Sequence, residues 1–122
     1  MIVAVDFDGI LCENQFPEIG PPIYPVISAI RELIDDGHEV VLWTSRNGAE
    51  LEAAVKWCDD RGLHFCAVNG PAPSNEEKYR DVYPTPTRKI YADIYIDDHN
   101  IEFEYIEVLL SQIRRIIRDG KR

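Results

Sequence analysis

No stretch of the chain approaches the ~20 consecutive apolar residues of a membrane-spanning helix. The opening Met1-Ile2-Val3-Ala4-Val5 carries no basic segment and no small-residue cleavage site, so no signal peptide is expected and the predicted location is cytoplasmic. Cysteine is scarce: Cys12, Cys58 and Cys66 are odd in number and stand in no metal-ligand spacing, which excludes a fully paired disulfide framework. They read as reduced, partly buried thiols. Positive charge is in deficit. Thirteen Lys and Arg against 22 Asp and Glu leave a net charge of −9, which repels polyanions at long range and disfavours nucleic acid and anionic membrane as partners. A small phosphorylated substrate beside a local cation stays compatible with that charge. Internal repeats and linkers are also lacking. At 122 residues, 45% hydrophobic and 29% charged, the chain has the make-up of a single globular domain over 1–122 rather than of a disordered or coiled-coil protein.

Strand and helix signals alternate from the start. Ile2 to Phe7 is a short apolar run ending in acids, the pattern of a buried parallel strand. Residues 12 to 24 are punctuated by Pro17, Gly20, Pro21 and Pro22 and read as a loop. Pro25 is placed to begin a helix whose stripe is Val26, Ile27, Ile30, Leu33 and Ile34, stopped by Gly37. Glu39 to Thr44 is a second strand, Ala49 to Arg61 a helix closed by Gly62, and His64 to Val68 a third short strand. Trp43 is expected in the core and Trp57 in helix packing. Asn69 to Arg88 holds Pro71, Pro73, Pro84 and Pro86 and reads as a long loop with one short helix. Asp93 to Asp97 is a fourth strand, and a helix from about Glu102 to Arg118 closes the chain. The order is that of an α/β protein with a doubly wound, Rossmann-like parallel sheet and helices on both faces.

In such folds ligands bind beyond the carboxyl ends of the strands. The chemistry-bearing residues fall there. The first strand ends in Asp6-Phe7-Asp8-Gly9, the second in Thr44-Ser45-Arg46, and the fourth in Asp97-Asp98. Four carboxylates on one sheet edge repel one another unless a cation joins them. A hard divalent ion with oxygen ligands suits the set, and Mg²⁺ is the expected cofactor. Gly9 permits a sharp turn and lets main-chain N–H groups approach a phosphate. Asp6 and Asp8, two apart along an extended strand, face the same way.

With these residues in place, the chain resembles the phosphatase branch of the haloacid dehalogenase superfamily. The likeness runs from Val3 to Asn100 and rests on Asp6-Phe7-Asp8-Gly9-Ile10-Leu11, Thr44, a lysine and Asp97-Asp98 in that order. It implies Asp6 as the nucleophile that forms an aspartyl-phosphate, and Asp8 as the acid that protonates the leaving oxygen and later activates water. It implies Thr44 on a phosphoryl oxygen, assisted by Ser45, and Lys89 offsetting the charge shared by Asp6 and phosphate, with Lys78 as the other lysine available. Metal ligands would be Asp6, the main-chain carbonyl of Asp8, and Asp98, with Asp97 either touching the metal or standing behind it. Arg46 reads equally as a substrate contact or a solvated loop cation.

Residues 12 to 24 and Ser45 to Arg88 leave no room for a cap domain, so the resemblance is to the capless subgroup. There an open site admits large substrates, or a second copy of the chain covers it; the proline-rich loop would be a partial lid. Two other readings stay open. A nucleic-acid end-processing phosphatase would use a basic stripe of Arg46, Lys78, Arg80, Arg88 and Lys89, against the net charge. A non-catalytic phosphate-binding domain would have no need of the acid at Asp8.

Overall fold

The structure, a computed structural model, describes residues 1–74, 92–96, 110–111, 113–115 and 118. Its elements in chain order are β1 (Ile2–Val5), β2 (Cys12–Gln15), β3 (Glu18–Pro22), α1 (Tyr24–Asp35), β4 (Glu39–Leu42), α2 (Gly48–Asp60), β5 (Ala67–Val68) and β6 (Ile94–Ile96). Four strands make a parallel sheet in the order β5-β4-β1-β6, and β2 and β3 form a separate antiparallel hairpin. This is an α/β protein built on a parallel sheet.

The register explains which residues are core. Val3 pairs with Val40 and Val5 with Leu42, and with a side-chain period of two these face one side of the sheet. They join one hydrophobic cluster with Val26, Ile27, Ile30 and Leu33 of α1, Ala54 and Cys58 of α2, and Leu110 and Ile113. Ala4 and Val41 face the other side, in a second cluster with Ala72 and Ala92. Helices α1 and α2 therefore share one face, while Ala72, just before the helical residues 73–74, packs on the other. Crossovers β1→β4 and β4→β5 step in the same direction, and crossovers of one hand leave both helices on one side. The chain returns past β1 only between β5 and β6, over a segment that includes residues outside the described set.

Local chemistry sets the helix ends. Pro25 lies in the first turn of α1, where its missing N–H costs nothing. Gly37, with φ of 89°, lets the chain leave α1, and Gly62, with φ of 76°, does so after α2.

Three expectations change. Residues 12 to 24 are not a loop but contain the β2–β3 hairpin, with Asn14 opposite Ile19 and Gln15 opposite Glu18. Pro17 sits in its turn, after a cis Phe16–Pro17 peptide, and Pro22 at its end, where neither interrupts the pairing of Gln15 with Glu18. The third strand shrinks to Ala67–Val68, although Cys66 N–H to Val40 O (3.0 Å) and Asn69 N–H to Leu42 O (2.8 Å) extend its ladder. Trp43 is 38% exposed rather than in the core, because it lies one residue past β4.

Gly20 shows how closely the hairpin is built. A Cβ there would collide with the carbonyl oxygen of Glu13 on the facing strand. Gly20→Ala must therefore push backbone apart, and a loss of about 1–3 kcal/mol is expected in urea unfolding. Gly37→Ala serves as the comparison, since a Cβ there meets open space and only its positive φ resists.

Candidate active site at the carboxyl end of the sheet

β1 ends at Val5, and the Asp6 N–H donates to Ile96 O of β6 (2.8 Å). Asp6 thus stands where the strand order reverses, between a neighbour reached forward in sequence and one reached by the return. Phe7 N–H donates to Asp6 Oδ1 (2.7 Å), which fixes the orientation of the half-buried carboxylate. Beyond it the chain makes one tight turn. Leu11 N–H reaches Phe7 O (3.0 Å), Gly9 N–H reaches Cys12 O (2.8 Å), and Gly9 takes φ of 85°, a region open to glycine and strained for other residues. Phe7, Ile10 and Leu11 are buried, so the turn is nailed to the core on both sides of Asp8. Trp57 of α2 and Phe7 pack in a T-shaped pair with ring centroids 5.3 Å apart.

The segment after β4 is held as firmly. Thr44 N–H donates to Asn69 Oδ1 (2.8 Å), and Thr44 Oγ1 accepts the Arg46 N–H (3.2 Å). Thr44 is half-buried and Ser45 exposed. Asn69 has φ of 51°, a conformation asparagine tolerates better than most residues. The Asn69-Gly70 dipeptide is a turn signal that marks this position, but its amide's service to Thr44 is visible only in three dimensions.

Arg46 is not a solvated loop cation: its side chain is turned inward and its donors are taken up by the protein. It is 2% exposed and is the only buried charged residue among those described. Its Nε donates to Asp8 Oδ2 (2.8 Å) and its Nη2 to Asp8 Oδ1 (2.7 Å), a bidentate pair. Nη1 reaches Pro17 O (3.1 Å) and Nη2 reaches Glu18 O (2.9 Å). The rings of Phe7 and Phe16 lie 5.1 and 5.0 Å from the guanidinium carbon. The reason is charge. A guanidinium inside a protein needs a carboxylate and carbonyls at its donors, and here Asp8 and the hairpin supply them. Its hydrogen bonds to Asp8 raise the Arg46 pKa further, against the opposing cost of burial. Arg46 also drops out of the basic stripe that a nucleic-acid substrate would need.

The same pair limits what Asp8 can do. Both of its carboxylate oxygens are engaged by Arg46; the main-chain carbonyl is the metal ligand it would offer. Lys89, Lys78, Asp97 and Asp98 lie outside the described residues. Asp97 follows Ile96, the residue whose carbonyl receives the Asp6 N–H. Among the described residues no three His, Cys, Asp or Glu side chains gather as a metal site. The donors at the end of β1, the Asp6 carboxylate and a main-chain carbonyl, are oxygens, and their chemistry fits a hard divalent cation.

The thiols are not part of this chemistry. Burial pushes Cys12 up to about 11 and Cys58 to about 12, and burial also raises exposed Cys66. Cys12 and Cys58 are buried as well as raised, and only Cys66 is open to reagent. Iodoacetamide is expected to label Cys66 in the native protein, and Cys12 and Cys58 only on unfolding; peptide mapping of the alkylated chain checks this.

No family model matches the chain, and no curated protein does. Among solved structures it is similar to one described as the conserved protein coded by a locus from Bacteroides thetaiotaomicron. The two are 33% identical with a TM-score of 0.75, over 100% of this chain and 93% of that one. Among the described residues no helix is long and apolar enough to cross a membrane.

Proposed function

This chain belongs to one family with the Bacteroides thetaiotaomicron conserved protein; from its own residues we propose that it is a Mg²⁺-dependent phosphomonoester hydrolase of the haloacid dehalogenase type. The reading takes the sheet as a doubly wound, Rossmann-like core in a single domain without a cap. One observation carries it: Asp6 and Asp8 follow β1 at the point where the strand order reverses, beside the Thr44 turn that follows β4. That is where parallel α/β sheets bind their ligands.

The chemistry runs through this chain's own groups. An oxygen of the Asp6 carboxylate attacks phosphorus, the bond to the ester oxygen breaks, and a proton from Asp8 goes to the departing alkoxide. Asp8, now a carboxylate, takes a proton from a water that attacks the aspartyl-phosphate, and phosphate leaves with Asp6 restored. The Thr44 hydroxyl donates to a phosphoryl oxygen while its own oxygen accepts the Arg46 N–H. Lys89 offsets the charge of Asp6 and the phosphate. Asp6, the Asp8 carbonyl and Asp98 would hold Mg²⁺, with Asp97 either touching the ion or standing behind it, and the ion would offset the charge of the phosphoryl oxygens.

Asp8 has to alternate between acid and base. Arginine offers donors only, so the bidentate pair matches the carboxylate form, the base of the second half-reaction. Carrying a proton requires Asp8 to release at least one Arg46 donor.

A panel of phosphate monoesters tests the proposal. Turnover with Mg²⁺ that stops on chelation with EDTA and returns with added Mg²⁺ is the expected result. Full turnover after exhaustive chelation would remove the metal from the reading, and no turnover of any ester would remove the hydrolase.

A further inference from the structure

We infer that Arg46 is a positioning residue that makes the presentation of Asp8 depend on the seating of the β2–β3 hairpin. Its kinetic consequence rests on the hydrolase reading above; the physical coupling does not. One buried guanidinium makes two hydrogen bonds to Asp8 and two to the carbonyls of Pro17 and Glu18, at the turn and start of β3. These donors share a rigid plane, so a shift of the hairpin carbonyls turns the donors that hold Asp8 as well. Burial keeps water from replacing a lost partner.

The flanking rings come from both sides of this junction. Phe7 is fully buried in the main cluster, whereas Phe16 is 59% exposed at the hairpin turn, yet each lies about as close to the guanidinium as the other. Phe7 belongs to the core and Phe16 to the hairpin, so the guanidinium is gripped between one ring from each. A two-stranded ribbon is marginal by itself. Arg46 is therefore a fastening of the hairpin as well as of Asp8, and each partner's seating supports the other's.

The experiment compares Arg46→Lys, Phe16→Ala and Asp8→Asn with the unaltered protein. Lysine keeps the charge but cannot hold Asp8 bidentately and reach both carbonyls. Phe16→Ala removes an exposed ring, preserves Arg46 and Asp8, and answers the question even where Arg46→Lys fails to fold. Amide exchange of residues 12 to 22 is the first readout and needs no activity. Exchange at least about tenfold faster in Arg46→Lys and Asp8→Asn, with α1 and β4 unchanged, is expected from local loosening. Unchanged exchange in the hairpin of Asp8→Asn overturns the coupling.

Turnover is the second readout. Arg46→Lys is expected to cost about 10²-fold in kcat on an alkyl phosphate, the scale of a misplaced catalytic group, with little change in KM. On p-nitrophenyl phosphate, whose phenolate leaves without a proton, the loss is small. Phe16→Ala should show the same leaving-group pattern at about 2- to 5-fold. Arg46→Lys should add nothing further once Asp8 is Asn. Equal losses on both esters, or additive losses in the double variant, overturn the positioning role. If the unaltered protein cleaves neither ester with Mg²⁺, the hydrolase reading fails, and the exchange data alone decide the coupling.

Discussion

Asp6→Asn is expected to lose phosphate-ester turnover by at least about 10⁴-fold, the scale at which removal of a central catalytic group leaves only residual effects. The fold should survive. Asparagine has nearly the same volume, and its carbonyl oxygen still accepts the Phe7 N–H that now meets Asp6 Oδ1. It also removes a negative charge from an edge of the sheet that holds several. What it cannot do is attack phosphorus, because an amide oxygen is a poor nucleophile. The measurement is kcat with Mg²⁺ alongside a urea unfolding curve. Near-normal turnover with an intact fold would place the attacking group elsewhere.

Asp8→Asn should fall next, with two effects to be told apart. On an alkyl phosphate the loss of a proton donor is expected to cost about 10²- to 10⁴-fold in kcat. On p-nitrophenyl phosphate the cost should shrink, since that leaving group departs without protonation. The second effect is on stability. The Arg46 side chain is fully buried and that of Asp8 is 14% exposed, so the substitution strands a buried guanidinium opposite an amide. Removing one member of a buried pair costs about 3–5 kcal/mol, and the partial exposure of Asp8 puts this case near the lower end. Unfolding curves and two-ester kinetics on the same protein separate the effects. An equal rate loss on both esters would assign Asp8 an electrostatic or structural role in place of proton transfer.

The distinction between these carboxylates was only half legible in the sequence. That Asp6, Asp8 and Thr44 gather at one end of the sheet follows from their places after apolar runs, and the ladder confirms it through Asp6 to Ile96 and Trp43 N–H to Val5 O. That Asp8 is spoken for by Arg46 does not follow from any local pattern, because the two are 38 residues apart. Read along the chain, Arg46 sits in a polar turn, between exposed Ser45 and Asn47, and such an arginine reads equally as a substrate contact or a solvated cation. The hairpin was hidden for a related reason. Cys-Glu-Asn-Gln and Glu-Ile-Gly-Pro-Pro have little apolar alternation, since most of their side chains face water and the ribbon is stabilised in part by what Arg46 does to its carbonyls.

By itself the sequence determined the parallel sheet, helices α1 and α2 and their stops, because each depends on residues close together: the valines of β1 and β4, the stripe of α1, Pro25, Gly37 and Gly62. Those choices are written in periodicity and backbone preference. Only the tertiary structure decided the β2–β3 hairpin, the exposure of Trp43, the Asn69 amide on Thr44 and the burial of Arg46 against Asp8. Each of these depends on partners distant in sequence, and a charged side chain acquires its role from the groups that surround it after folding.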